Sequence, residues 1–256
     1  MQADPEIIRF MVALAWGPLA FALYYLLIRN SLPAEGSGNI SRTMKDSSAS
    51  GPGVIFTESS GNISRIMRQR LLGVLLFGLV TAVIIRLLFR GSPADYGAGL
   101  IFDRPPPWWI YPLFVLIPVS AYFTASSQWN LAVYPQIRIK TWTPSILLVS
   151  SLSWILYLVA YEYFFRGFLL TASVAVMTAW QAIALNCLLY ALAHLYKGRH
   201  ETIGSIPVGI LLCYLTLFTG NIWSAVAIHS VMALSNEWFS IRAHPGMQFR
   251  KGKNIP

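Results

Sequence analysis

The sequence predicts an all-α polytopic membrane protein with about seven transmembrane helices. Hydrophobic residues make up 55% of the 256 positions and charged residues only 11%, whereas soluble domains average roughly 45–50% and about 25%. The mean hydropathy is +0.56, and apolar runs near the length of about 20 residues that crosses a bilayer recur along the chain. These observations exclude a large soluble core as the basis of the fold.

The charge distribution indicates a lipid bilayer as partner and not a nucleic acid. The net charge is +9, but the basic residues lie between apolar runs and form no groove interleaved with aromatic residues. The two cysteines, Cys187 and Cys213, fall within apolar runs and show neither a disulfide framework nor zinc-ligand spacing. Asp4 and Glu6 stand where a cleavable signal would be positive, so the first helix is predicted to be retained.

Three transmembrane helices are predicted in the first half of the chain, near Ile8–Ile28, Leu71–Phe89 and Trp109–Ala125. The stretch from Arg29 to Arg70 is rich in Gly, Ser and Asn, and we predict a mobile loop there. A proline-rich connector, Asp95 to Trp109, leads into the third span because consecutive prolines cannot form a helix interior.

Two features of the loops complete this half. The hexapeptide Ser-Gly-Asn-Ile-Ser-Arg occurs twice, at 37–42 and 60–65. A single duplication is too short for a repeat architecture, and we assign it no chemistry. A second loop is predicted from Ser126 to Thr143.

Four more helices are predicted in the second half. The apolar run from Pro144 to Leu195 is too long for one crossing, so we expect two antiparallel helices with a turn near Thr171–Thr178. The last two spans are predicted near Ile203–Phe218 and Ile222–Ile241, with a tight glycine turn between them.

The count of seven spans also predicts which side of the membrane the carboxyl terminus faces and how the chain divides into three parts. Most of the 19 Lys and Arg residues then fall in loops on the side of the carboxyl-terminal tail, so the positive-inside rule places that terminus in the cytoplasm. We predict an integral protein of the bacterial cytoplasmic membrane. Its parts are amino-terminal spans and polar loops (1–143), a helical core (144–241) and a basic tail (242–256).

One pair of charges stands out within this core. Glu162 and Arg166 are the only charged residues between Pro144 and Leu195. They are four positions apart, so on a helix they share a face and can pair. An ionisable residue inside a membrane span is costly, and it is a functional-site hypothesis by default.

Two histidines within apolar runs offer partners for this pair. His194 follows Tyr190 by one helical turn, and His229 lies on one stripe with Asn236. A hairpin turn near Thr171–Thr178 would place Glu162 and His194 both roughly 15–25 Å from that turn. The three groups are therefore compatible with one cavity at middle depth.

These residues resemble the CPBP family of intramembrane proteases, which includes CAAX-processing and abortive-infection (Abi) proteins. Its motifs, on successive helices, are Glu-Glu-x-x-x-Arg, Phe-x-x-x-His, and His-x-x-x-Asn or Asp. The resemblance covers about Ser145 to Ile241. The corresponding stretches are Tyr161–Gly167, Tyr190–His194 and His229–Ala233.

The sequence departs from the family pattern at three positions. Tyr161 replaces the first Glu, Tyr190 replaces the Phe, and Ala233 replaces the Asn or Asp. Glu162 is thus the carboxylate left to activate water. Asn236, one turn beyond Ala233, is the candidate for the missing amide.

The resemblance implies an intramembrane endopeptidase that acts on a membrane-associated peptide or protein. Glu162 would then activate the water, while His194 and His229 hold it or stabilise the oxyanion and Asn236 is a neutral donor. No cofactor is required by this scheme. The same Glu162, His194 and His229 are also candidate zinc ligands of a metalloprotease.

Other hypotheses remain open at this point. Tyr161 and Ala233 are compatible with a noncatalytic immunity or scaffold protein of the same fold. Glu162 and Arg166 would then be no more than a neutralising ion pair. A transporter or proton relay is a third hypothesis, although no repeat of the two membrane halves is visible.

Overall fold

The computed structural model describes residues 4–29 and 60–250, and within them the fold is helical with one two-stranded ribbon. Two of the long helices contain π-helical segments. The elements are α1 (Pro5–Arg29), α2 (Ser60–Gly73, π-helical Val74–Val80, Thr81–Phe89), α3 (Leu113–Thr124), α4 (Gln128–Val133), β1 (Thr141–Trp142), α5 (Pro144–Glu162, π-helical Tyr163–Leu169, Leu170–Val174), α6 (Ala179–His194), α7 (Arg199–Thr219), α8 (Trp223–Ala243) and β2 (Gln248–Phe249).

Four helices in the described part of the chain are long and apolar enough to cross a membrane. They are Pro5–Ile28, Asn62–Phe89, Pro144–Val174 and Arg199–Thr219. The protein is therefore a polytopic membrane protein, but the predicted count of seven spans is not confirmed. The remaining long helices are shorter or less apolar, and α6 and α8 carry buried polar side chains such as Asn186 and Glu237.

The predicted hairpin between the fourth and fifth spans is confirmed. Helix α5 ends at Val174 and α6 begins at Ala179, within the region where the turn is expected. The Thr178 hydroxyl accepts from the backbone N–H of Gln181, while the Gln181 side chain accepts from the backbone N–H of Thr178. This reciprocal capping box fixes the start of α6.

The predicted loops are shorter than expected. Helix α2 begins at Ser60, so the second copy of the hexapeptide is helical, whereas the first copy lies outside the described residues. Ile63, Ile66 and Met67 place an apolar stripe on this helix, which packs against Trp142. Sequence reading missed the stripe because it is short and embedded in polar residues.

Two further corrections concern the polar connections. The predicted loop from Ser126 to Thr143 contains α4 and β1, and β1 pairs in parallel with β2 of the predicted tail. Helix α7 begins at Arg199, four residues before the predicted span. Gly198, at φ +96°, precedes this helix and supplies a conformation that other residues rarely adopt.

Helix α5 is the centre of the bundle. Thr143 caps its first turn and Pro144 follows, a combination typical of helix starts. From Ala160 to Leu170 every side chain is buried, so this part of α5 is surrounded by other elements. Aromatic rings fill most of that core, with Phe77 of α2 packed against Tyr161 and Phe164.

A glycine turn sets the register between α7 and α8. Gly220 has φ +67° and caps α7 in the left-handed conformation. A Cβ at this position would lie 1.9 Å from an Asp103 carboxylate oxygen. Glycine is thus required twice, by backbone conformation and by space.

We expect Gly220→Ala to lower the thermal unfolding midpoint of the detergent-solubilised protein. The left-handed conformation alone costs an alanine about 1–2 kcal/mol, and the contact with Asp103 adds to it. Gly204→Ala is the matched control, since a Cβ there meets nothing within 4 Å and α7 gains helix propensity. An unchanged midpoint in Gly220→Ala would contradict this account of the turn.

Candidate active site

The first of the three motifs lies where α5 changes from α-helical to π-helical. Regular α-helix ends at Glu162, and Tyr163–Leu169 follows as the π-helical segment. A π-helical turn displaces backbone carbonyls from their usual partners, and such turns are common at functional sites. The Asn186 side chain of α6 donates to the Phe165 carbonyl oxygen at 2.7 Å and is fully buried. Asn186 therefore stabilises the segment that carries Arg166.

Glu162 and Arg166 form the predicted ion pair, and both side chains are 0% exposed. Arg166 Nη1 lies 3.1 Å from Glu162 Oε2 and 3.3 Å from Oε1. The guanidinium also stacks on the Tyr190 ring, with Cζ 4.3 Å from the ring centroid. A buried cation is thus neutralised by one carboxylate and covered by an aromatic face.

Glu162 has a second partner on another helix. His229 of α8 lies with Nδ1 2.5 Å from Glu162 Oε1. An ionised carboxylate only accepts hydrogen bonds, so Nδ1 is the protonated nitrogen and Nε2 carries the lone pair. The Tyr190 hydroxyl lies 3.4 Å from Nε2. The pairing of Glu162 with both Arg166 and His229 joins α5 to α8.

His194 is connected to this group only indirectly. Its Nδ1 lies 2.9 Å from the Tyr190 carbonyl oxygen, which can only accept, so Nε2 again carries the lone pair. Within the described residues, no hydrogen bond or ring contact joins His194 to Glu162 or His229. His194 lies further from the hairpin turn than Glu162 does. Glu162 is about 18 Å from the turn along α5, and His194 is about 22 Å from it along α6. Tyr190, at about 17 Å along α6, is the residue level with Glu162.

A cavity of about 890 Å³ gives these groups access to a ligand. His194, His229, Tyr190 and Tyr161 line it, and so does half-buried Asn236, two turns along α8 from His229. Glu162 and Arg166 are not part of its lining. The side chain that faces the cavity beside Glu162 is that of Tyr161.

The predicted zinc set does not assemble in this geometry. Among the described residues, no group of three or more His, Cys, Asp or Glu side chains is arranged to hold a metal ion. The Glu162 carboxylate is engaged by Arg166 and His229 Nδ1 behind the cavity wall. His194 and His229 alone would be an incomplete ligand set for zinc, which takes at least three protein ligands in catalytic sites.

Sequence reasoning missed two residues that hold the site together. Asn186 forms a stripe with Tyr190 and His194 at i, i+4 and i+8, and this spacing is the signal that could have identified it. Gly209 of α7 is the other. A Cβ there would lie 3.3 Å from the Tyr190 ring and 3.7 Å from Arg166 Nη2, so glycine permits the close approach of α7.

The buried ion pair predicts non-additive effects on stability. Glu162→Gln and Arg166→Met should each destabilise the protein strongly, by about 3–5 kcal/mol, because each leaves one buried charge without its partner. The double variant should lose much less than the sum. Thermal or denaturant unfolding of the four proteins in detergent measures this coupling, and additive losses would show that the two charges are independent.

Comparison with known proteins gives one match, to a protein-family model. Residues 142–235 match the family model described as Rce1-like, type II CAAX prenyl endopeptidase Rce1-like. No curated protein and no solved structure matches the chain. The matched segment contains Glu162, Tyr190, His194 and His229, and it supports the resemblance that the three motifs indicate. Over residues 142–235, the chain is therefore similar to CAAX-type prenyl endopeptidases.

Proposed function

We propose that the protein is an intramembrane peptidase that hydrolyses a peptide bond of a membrane-associated, prenylated substrate with His229 as the general base. The main support for this proposal is the 2.5 Å contact between Glu162 Oε1 and His229 Nδ1, because His229 also lines the cavity. The carboxylate is fully buried. In this proposal Glu162 acts through the imidazole and does not contact the water itself.

The first step uses the lone pair on His229 Nε2. A water in the cavity gives one proton to Nε2 while its oxygen bonds to the scissile carbonyl carbon, and the carbonyl π electrons move to the oxygen. The imidazolium that forms is stabilised by Glu162, just as a carboxylate stabilises a catalytic histidine elsewhere. Arg166 holds that carboxylate in place and is a positioning residue.

The second step releases the amine. The tetrahedral oxyanion is stabilised by the Tyr190 hydroxyl, a donor already aimed at His229 Nε2. The C–N bond breaks as His229 Nε2–H gives its proton to the leaving nitrogen, and the carbonyl reforms. His194 Nε2 accepts a hydrogen bond from the attacking water, and the Asn236 amide is a further donor along the cavity.

A second candidate function is a noncatalytic member of the same family, acting as an immunity or scaffold protein. The observation that favours it is Tyr161, which faces the cavity where the family has a carboxylate. In that case the contacts among Glu162, Arg166 and His229 serve only to join α5 and α8.

The two candidates differ in the effect of His229→Gln. With purified protein in lipid nanodiscs and a quenched fluorogenic S-farnesylated CAAX peptide, His229→Gln should reduce kcat by about 100-fold or more, as expected when a general base is lost. Glu162→Gln should also lower kcat. Ser230→Ala is the control, since the buried Ser230 hydroxyl has no hydrogen-bond partner among the described residues. Wild-type protein without hydrolysis would favour the noncatalytic candidate.

The proposed mechanism requires no metal ion. We expect wild-type hydrolysis to persist after treatment with EDTA or 1,10-phenanthroline, and added Zn²⁺ should not raise kcat. The donor geometry is the reason, because Glu162 and the Nδ1 atoms of both histidines already have other partners. Loss of activity with chelator and recovery with Zn²⁺ would replace this mechanism by a metal-dependent one.

A further inference from the structure

A second buried cation lies at the other end of the cavity, outside the family match. Arg70 of α2 is only 4% exposed, yet it lines the cavity. Nη1 donates to the Ser150 carbonyl and to the hydroxyls of Ser150 and Ser153, and Nη2 donates to Gln136 Oε1. Nε has no hydrogen-bond partner among the described residues. Each of these partners is neutral.

The charge of Arg70 is therefore compensated less completely than is usual for a buried charge. No described carboxylate forms an ion pair with it. Glu237 is the nearest acidic influence, but its Oε2 accepts from the Gln136 backbone N–H, and Arg138 also acts on it. Arg70 and Arg138 together carry two positive charges, and Glu237 supplies one negative charge. A single carboxylate of a ligand would neutralise the positive charge that remains.

The other charged residues of the cavity wall do not compete with Arg70 for an anionic ligand. Among described residues, only Lys197 and Glu201 line the cavity with a full charge besides Arg70. They are four positions apart and have opposite sign, and the Glu201 carboxylate acts electrostatically on Lys197. Arg70 is thus the cation available to an anionic group inside the cavity.

The distance from the catalytic groups indicates what the anion is. Glu237, whose carboxylate is bound beside Gln136, follows His229 by about 12 Å along α8. Three to four residues of extended peptide span about the same length, at about 3.3 Å each. The wall between the two ends is largely apolar, with Trp154, Leu158 and Ala233. This lining suits apolar side chains of a peptide in extended conformation.

We propose that Arg70 binds the free C-terminal carboxylate of the substrate peptide and so sets how many residues lie beyond the scissile bond. The carboxylate takes the Nη2 position that Gln136 Oε1 occupies, and the Nε–H beside it is free of other partners. A guanidinium edge of this kind binds a carboxylate with two parallel hydrogen bonds. The inference rests on the proposed peptidase function for its substrate.

Binding of two peptides to the full-length protein in nanodiscs tests this assignment without requiring hydrolysis. The probe is a fluorescein-labelled, S-farnesylated Cys-Val-Ile-Leu peptide, prepared as the C-terminal acid and as the amide and followed by fluorescence anisotropy. Wild-type protein should bind the acid about ten-fold or more tighter than the amide, the usual effect of a charge-assisted hydrogen bond. Equal affinities would overturn the proposal.

Substitutions test whether Arg70 is responsible for the preference for the peptide acid over the peptide amide. Arg70→Gln should bind the acid as weakly as the amide, with unchanged amide affinity, whereas Arg70→Lys should keep part of the preference. Gln136→Glu should also remove it, because it places a carboxylate on Nη2 in a protein that keeps Arg70. Arg68→Gln is the matched control, since Arg68 is an exposed residue of the same helix and does not line the cavity.

Three outcomes would contradict the assignment. Equal loss of acid and amide binding in Arg70→Gln would show a structural role only, and loss of the preference in Lys197→Gln instead would place the site elsewhere. Loss of the preference in nanodiscs of phosphatidylglycerol would show that a lipid headgroup occupies Arg70. If the preference holds but no peptide is cleaved, this site stands and the peptidase proposal fails.

Discussion

The Glu162 carboxylate is the group on which the rest of this structure depends. It lies without solvent exposure between Arg166 on its own helix and His229 on α8. A lone buried carboxylate in such surroundings would be strongly unfavourable, and the same is true of a lone buried guanidinium. Each is therefore tolerated only because the other is present, and the contact between Glu162 and His229 joins two helices through residues 67 positions apart in the chain.

The π-helical segment of α5 is the second constraint. It follows Glu162 directly and contains Arg166. Its altered hydrogen bonding requires an external donor, and Asn186 supplies it from α6. Gly209 then lets α7 approach the covered guanidinium. These contacts explain why a polar residue such as Asn186 persists on α6 in a largely apolar helix.

The cavity connects this charge network with a second one. His229, Tyr190 and His194 lie at one end, while Arg70 and Gln136 lie at the other. The first group comes from the segment that matches the family, and the second is built by α2 and the connection before α5. A chemical step and a recognition step are thus assigned to different parts of the chain. Tyr161, between them, makes the cavity wall aromatic where a carboxylate would be expected from the family pattern.

The sequence by itself determined the membrane class, the hairpin of α5 and α6, the Glu162–Arg166 pair and the resemblance to CAAX-type proteases, because hydropathy, helical spacing and short motifs are local properties. Only the tertiary structure decided that Glu162 lies behind His229, that Tyr190 and not His194 reaches its depth, and that Asn186 stabilises the π-helical segment. The helical start of α2 at Ser60 and the pairing of the tail with β1 also required it. These features depend on helix rotation and on contacts between distant segments, and a one-dimensional pattern does not specify either.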